Sequence, residues 1–458
     1  MLGARPTSMV ALTGIDIAFI LVYIIAVIGV ACWRSRQAGD EDFLIADRKM
    51  GVLGALSSIN ATKTGSILLI YVALLYLYGF SAIWYFLGVA AGYLIFIPFG
   101  MKLHRNHAGS HYTMAEYFFH GYGKSAGYCT SLLNIFLVVA FLILNLIASS
   151  KVLAFFTGLS FELSTLIVLG VVLAYLLIGG FKAVVTTDIL QYCAILFVLL
   201  VFAIFLLGNT SIPAADWNLT KAGVANVVGF FLLGILLPFA DPSLWQRVYA
   251  SKTEKTLQQG IFYSVIIYVV FAFVLSLIGL AIKASLPSID PDIALVQGFA
   301  TLLPAGLMGL SIVVFFAAFM SSIDTYVFTA ASSFVHDFFK NHTKSQAVKR
   351  IQLAAIGITV IGGLLAILIQ DLVLGAYIFA SFGVLMAIPI MVTWMRPSVK
   401  GVTISVGIVL STVLLTFLTA YYALGPGFEA TIVLQAIGIS LASLFIGGVA
   451  SKVYALRA

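Results

Sequence analysis

The chain is 458 residues long, 62% hydrophobic and only 9% charged, with a formal net charge of +7. A soluble domain is about 45–50% apolar and about 25% charged, and so few polar residues cannot cover the surface of a fold this apolar. A cytosolic enzyme, a secreted disulfide scaffold and a disordered chain are excluded, which leaves a polytopic membrane protein.

The first apolar run, Ile15 to Trp33, exceeds the roughly 7–15 residues of a signal-peptide core and has no small-residue cleavage site in the usual place. It reads as a retained span. Thirteen segments are apolar over the roughly 20 residues a crossing needs: 13–33, 51–78, 81–101, 125–157, 159–179, 186–208, 223–245, 259–284, 304–336, 350–370, 372–395, 400–423 and 430–451. No period-2 barrel pattern appears, so the backbone must satisfy itself in helices. Cys32, Cys129 and Cys193 lie in or beside apolar runs and read as small core residues, not as a disulfide or zinc framework.

Loop charge sets the expected orientation. With the N-terminus outside, 19 Lys and Arg fall in inside loops and 4 (Arg5, Lys151, Lys221, Lys283) outside, and the last of the 24, Lys63, falls within a span. The expected location is a bacterial inner (plasma) membrane with the C-terminus cytoplasmic. Basic charge spread along a membrane face argues against nucleic acid as a partner. No second domain and no nucleotide-binding loop is visible, so an ATP-driven pump is not expected. Nor is an enzyme, since no nucleophile–base pair or metal-ligand cluster appears.

Charges inside spans are costly and mark functional positions. Four stand out: Lys63, Asp188, Asp241 and Asp324. The stretch Gly51-Val-Leu-Gly-Ala-Leu-Ser-Ser-Ile-Asn-Ala-Thr-Lys-Thr-Gly-Ser66 is rich in helix breakers and small polar residues. It makes a poor lipid-facing helix, but makes sense if the second span unwinds and lines a cavity. A similar break is expected in the seventh span over Gly229-Phe-Phe-Leu-Leu-Gly-Ile-Leu-Leu-Pro238. Broken helices at matching places in two five-helix units point to an inverted-repeat transporter with a midplane site. The alternative is a pair of kinked helices with small-residue packing seams. Asp241, just before Pro242, reads either as a helix-end or gating carboxylate or as a vestibule residue without a special role.

Three stretches carry a specific likeness. They are Gly179-Gly-Phe-Lys-Ala-Val-Val-Thr-Thr-Asp-Ile-Leu-Gln191, then Trp245-Gln-Arg-Val-Tyr-Ala-Ser-Lys252, and Ala317-Ala-Phe-Met-Ser-Ser-Ile-Asp-Thr325 followed by Ala331-Ser-Ser333 and Asp337. With the thirteen-span pattern, they resemble the solute:sodium symporter family. The resemblance implies an all-α LeuT-type fold of one transmembrane domain, residues 1–458. Within it, 13–33 is an extra N-terminal helix, 51–208 and 223–395 are five-helix inverted repeats, and 400–451 holds two C-terminal helices. It further implies a sodium position formed by the carbonyls of Ala61, Thr64 and Ala318 and the hydroxyls of Ser321 and Ser322, with Asp188 near the ion's inner exit.

Lys63 departs from the family pattern. An ammonium about 5 Å from a sodium ion repels it by roughly 3 kcal/mol at an effective dielectric near 20. Either Lys63 replaces sodium, or a carboxylate such as Asp324 or Asp188 neutralises it, or the lysine is neutral. The reading taken is that protonated Lys63 occupies or borders the sodium position with Asp324 or Asp188 as counter-charge, so that sodium dependence is weak or absent or transport is proton-linked. Candidates for the solute site are Ser58, Asn60, Lys63, Gly229 and Gly234, with Asn134 or Asn145 from the fourth span. The expected function is secondary active transport of a small organic solute, an amino acid, carboxylate or similar, by alternating access. Na+ or H+ would be the coupling ion, no organic cofactor is needed, and the protein is expected to work as a monomer in the bilayer. A transporter-like solute sensor and an uncoupled facilitative carrier are the rival readings.

Overall fold

The computed structural model describes residues 13–35, 39–176, 181–304, 306–339, 343–425, 429 and 431–457. Gly179 and Gly180, quoted above in the first stretch of likeness, lie outside the described residues. Long runs of Leu, Ile, Val, Phe and Ala fold into helices in which every backbone bond is made within the segment, the arrangement lipid demands. In chain order these are α1 (Gly14–Ser35), α2 (Asp40–Ile45), α3 (Val52–Thr64), α4 (Ile67–Tyr78), α5 (Ile83–His107), α6 (Met114–Tyr122), α7 (Lys124–Thr157), α8 (Phe161–Leu176) and α9 (Phe181–Asn209). There follow α10 (Val224–Ala240), α11 (Pro242–Ala250), α12 (Glu254–Ser285), α13 (Ala294–Leu302), α14 (Met308–Phe338), α15 (Lys344–Ile369), α16 (Leu372–Met395), α17 (Gly401–Leu424) and α18 (Ile432–Arg457).

Among the described residues nine helices are long and apolar enough to cross a membrane, or ten with α10 and α11 taken as one span bent by 46°. The count falls short of the expected thirteen for identifiable reasons. The apolar parts of α1 and α8, Gly14–Val27 and Phe161–Leu173, are short, and α4 and α5 lie in one 41-residue apolar stretch, Ile67–His107. A tight turn at Gly79–Ala82, with Gly79 at φ +62°, separates those two helices.

The second span breaks where its polar stretch ends, between Thr64 and Ile67. Side chains of other helices take over the amides freed there. Gly65 N–H donates to Ser322 Oγ at 3.1 Å and Ser66 N–H to Asn145 Oδ1 at 2.8 Å. A β-carbon on Gly65 would lie 2.1 Å from Asn145 Oδ1 and 2.2 Å from Ser322 Oγ, so this glycine is required by close approach.

The seventh span does not break over Gly229–Pro238. Helix α10 runs unbroken through Pro238 to Ala240, and the break falls at Asp241. There Asp241 caps α11 by accepting Ser243 N–H at 3.0 Å, and Pro242 takes the first helical position, a pairing that ends one helix and starts the next. The glycines of α10 serve packing instead. A β-carbon on Gly234 would sit 2.4 Å from the Tyr85 carbonyl oxygen, and one on Gly88 of α5 2.2 Å from the Phe231 oxygen. This is the small-residue seam by which membrane helices approach backbone to backbone. Gly88→Val should therefore lower the melting temperature sharply, since overpacking costs about 1–3 kcal/mol or more. Gly438→Ala, with nothing within 4 Å of the new carbon, should leave it unchanged. Equal melting curves for both variants would refute the close α5–α10 contact.

The two broken spans are tied together at one end. Met50 N–H donates to the Ala250 carbonyl and Lys252 N–H to the Met50 carbonyl, both at 3.0 Å. This end carries Arg48, Lys252 and Lys344 and is called the basic face below. Helix α14 runs through the centre, packed on α7, α9, α15, α1 and α3, with both serines and Asp324 buried.

Candidate functional site

Where α3 unwinds against α14, four oxygens converge. Ser321 Oγ lies 3.1 Å from the Ala61 carbonyl oxygen and 2.9 Å from that of Ala318. Ser322 Oγ lies 3.0 Å from the Ala318 oxygen and 3.5 Å from that of Ala61. A hard cation with oxygen ligands at about 2.4 Å holds neighbouring ligands about 3.4 Å apart, so these atoms fit a sodium-sized ion once the hydroxyl protons turn away. Ala61, Ala318, Ser321 and Ser322 are thus brought together as the resemblance implied. No hydrogen bond joins Thr64 to either serine hydroxyl among the described residues, and its own hydroxyl turns back to the Asn60 carbonyl at 2.8 Å. The Thr62 carbonyl is drawn in instead, accepting Ser322 Oγ at 3.0 Å and the Tyr326 hydroxyl at 3.3 Å.

One turn along α3 toward the basic face lies a buried charge cluster. Arg247 of α11, 1% exposed, donates through Nη2 to Ser58 Oγ and to Thr62 Oγ1, both at 2.7 Å, and through Nη1 to the Ser243 carbonyl at 2.8 Å. Its Nη2 also reaches Thr325 Oγ1 at 3.2 Å and stands 3.7 Å from Asp188 Oδ2, which accepts Ser58 Oγ at 2.5 Å. Arg247, which the sequence places in a motif and among the basic residues of the inside loops, is instead buried in this cluster. Its available signal was its place in a short polar turn immediately after the Asp-Pro break.

On the other side of the break is a cavity of about 110 Å³ bounded by α3, α4, α5, α7, α10, α14 and α16. Its walls are mostly apolar and aromatic, with Tyr85, Phe141, Phe230, Tyr326 and Tyr377 among them. Two charged side chains line it, one from each broken span, and they meet: Lys63 Nζ is 2.6 Å from Asp241 Oδ2. This corrects the expected counter-charge. Asp188 is engaged by Arg247 and Ser58, and Asp324, buried one turn beyond Ser321, does not line the cavity. The tip of a lysine side chain is free to swing away from its own backbone, and the carboxylate exposed by the α10–α11 break captures it. Held against Asp241, Lys63 presents a dipole to the oxygen cluster rather than an unpaired charge, which removes the argument that it must displace sodium.

Of the expected solute-site residues, Lys63 and Asn145 line the cavity. Ser58 faces Arg247 and Asp188, and Asn60 bonds to Ser264, donating to its carbonyl at 3.2 Å and accepting its hydroxyl at 2.6 Å. Asn134 donates to Ser333 Oγ at 3.2 Å. Gly229 and Gly234 are buried but do not line the cavity. Asp241, left open between two roles by the sequence, lines the cavity and caps α11.

The cavity shares Val373 and Tyr377 with a wider hollow of about 740 Å³, lined also by Lys151, Asp290, Asp292 and Asp371, at the end away from the basic face. Toward the basic face the way is filled by aromatic rings, Phe99 packing on Trp245 at 5.5 Å and on Trp394 at 5.6 Å between centroids. Beyond them Arg48 donates to the carbonyls of Ala108 and His111, lies over the Tyr112 ring at 4.7 Å and pairs with Glu41 at 3.4 Å. Burial, with His107, His120 and Arg48 beside it, pushes the His111 imidazole down to about 4, so this closure packs around a neutral ring at pH 7.

The profile of the sodium:solute symporter family matches residues 43–395. The chain is 26% identical over 456 residues to the osmoregulated proline transporter OpuE of Bacillus subtilis (strain 168), covering 89% of this chain and 91% of that protein. It is 24% identical over 383 residues to the high-affinity proline transporter PutP of the same organism, covering 76% and 80%. In three dimensions it resembles a Na+-coupled sialic acid symporter solved in a substrate-bound outward-open state. The TM-score is 0.80 with 19% sequence identity, over 95% of this chain and 98% of that one.

Proposed function

The chain belongs to the sodium:solute symporter family, a family of membrane transporters and not of enzymes, and on that premise we propose that it carries a small organic solute across the membrane coupled to sodium. The observation that carries this reading is the convergence of the Ala61 and Ala318 carbonyls with the Ser321 and Ser322 hydroxyls, directly beside a small cavity between the two broken spans. An ion held by both α3 and α14 stabilises the unwound segment, and the same segment forms the cavity wall. Ion and solute thus favour one arrangement of the same residues, which is the coupling free energy that symport requires.

We read the chain as thirteen spans with the 5+5 inverted repeat, the basic face cytoplasmic and the N-terminus outside, acting as a monomer. The filled path toward the basic face and the hollow on the opposite side support an outward-facing arrangement. Alternating access then consists of opening the Arg48 and Phe99–Trp245 closure while the hollow at Tyr377 shuts.

The test is a thermal-stability titration of the purified protein with NaCl against KCl at matched ionic strength, followed by uptake into proteoliposomes. A sodium-specific rise that grows logarithmically with concentration is expected, because a ligand bound only to the folded state adds RT ln(1 + [L]/Kd). Equal curves in sodium and potassium, with uptake that follows a pH gradient alone, would replace this reading with a proton-linked carrier.

A further inference from the structure

We infer that the solute is a small monocarboxylate, its carboxylate bound by the Lys63 ammonium and its tail by the aromatic wall, and that zwitterionic amino acids are poor substrates. The inference rests on the transport reading above and adds the chemistry of the site.

The two charged groups in the cavity differ in what they have left to offer. The Asp241 carboxylate has one of its roughly four acceptor sites left. Its Oδ1 accepts both Ser243 N–H at 3.0 Å and Ser243 Oγ at 2.7 Å, its Oδ2 accepts the ammonium at 2.6 Å, and its side chain is only 3% exposed. Lys63 has more left. An ammonium has three donors, the described residues supply Asp241 as its one partner, and its side chain is 15% exposed in the cavity. A ligand therefore finds a cationic donor with two protons unused and an anionic acceptor with one site left, the acceptor being the more deeply buried of the two. Asn145 Oδ1, the amide oxygen in the wall, already accepts Ser66 N–H. An α-ammonium group brought here would lose its hydration next to Lys63 with a single buried Asp241 site to receive its three donors, a burial that is costly unless paired. The start of α4 at Ile67, also in the wall, adds the partial positive charge of a helix N-terminus on the same side.

Charge balance agrees. Lys63 and Asp241 cancel each other, so a carboxylate and one monovalent cation in the oxygen cluster bring the loaded site to no net change. Size agrees as well, since about 110 Å³ is somewhat smaller than the roughly 150 Å³ of an apolar cavity that takes a benzene molecule. The remaining walls, Leu233, Leu237, Phe141 and Phe230, suit a short hydrocarbon tail.

The probes are propionate and pyruvate, with L-alanine, propionamide and choline as comparisons, added to the purified full-length protein at fixed sodium concentration and read by thermal shift. Propionate and pyruvate should stabilise, and the other three should not at equal concentration. Lys63→Arg should keep the response. Lys63→Met should weaken propionate affinity by about a hundredfold, as expected when a charged hydrogen-bond donor is removed from a buried site. Because Lys63→Met leaves Asp241 buried and unpaired, the double variant Lys63→Met/Asp241→Asn is measured beside it and should show the same loss while remaining folded. Stabilisation by alanine or choline in preference to propionate would overturn the inference. So would a double variant with undiminished propionate affinity, or no response to any probe while sodium still stabilises. Loss of the sodium-specific shift in the unmodified protein would instead count against the transport reading itself.

Discussion

Arg247→Met is expected to be the most destabilising single substitution in the protein. The guanidinium is completely enclosed and spends its donors on Ser58, Thr62, Thr325 and the Ser243 carbonyl, with Asp188 at 3.7 Å. Methionine fills much of the volume but leaves the Asp188 carboxylate buried without a cation. Breaking a buried pair from one side costs about 3–5 kcal/mol, a large part of the roughly 5–15 kcal/mol that holds a native protein. The expected result is a fall in membrane yield and a large drop in melting temperature. Asp188→Asn added to Arg247→Met should recover a good part of the loss, because the uncompensated charge is gone. That recovery is the coupling of the two sites, measured as the departure from additivity. A double variant no more stable than Arg247→Met would mean that the guanidinium's hydrogen bonds to the three hydroxyls matter and its pairing with Asp188 does not.

The cluster also shows how far the sequence could be read. The all-helical membrane fold was legible because its cause, an apolar run of crossing length, is local to each segment. The unwinding of the second span was legible for the same reason: Thr62-Lys-Thr-Gly-Ser66 is a poor lipid-facing helix wherever it is placed. The meeting of Ala61 with Ser321 was legible only through the family resemblance, since no spacing rule joins residues 260 apart. What failed depended on partners. Gly229, Gly234 and Pro238 look like breakers in isolation, yet α5 presses its backbone against Gly234 and uses that small surface as a seam. Lys63 could be placed at the midplane from its sequence depth, but its counter-ion was set by where the α10–α11 chain turns. Asp241, the carboxylate at that turn, outcompeted Asp188 and Asp324, and Asp188 is held by an arginine whose importance no local pattern announced.

Ser321→Ala should separate ion binding from transport capacity. The Ser321 hydroxyl touches the Ala61 and Ala318 carbonyls at 3.1 and 2.9 Å and makes no bond to the break itself. Removing it takes one of four converging oxygens from the ion and leaves the backbone turn in place. The sodium concentration for half-maximal uptake should rise about 10- to 100-fold, equivalent to about 1.4–2.7 kcal/mol of ion affinity, with uptake at saturating sodium close to normal. Ser322→Ala should behave differently. That hydroxyl also receives Gly65 N–H at 3.1 Å, so its loss frees an amide at the unwound turn and should lower maximal uptake as well as sodium affinity. The double variant Lys63→Met/Asp241→Asn supplies the third arm. If the ammonium occupied the ion's place, removing it would strengthen sodium binding. Paired with Asp241 at 2.6 Å and removed with it, it should leave the half-maximal sodium concentration within about threefold of the unmodified protein, while solute affinity falls. Uptake that responds to none of the three changes when sodium is varied would mean that these four oxygens hold no ion in the transport cycle.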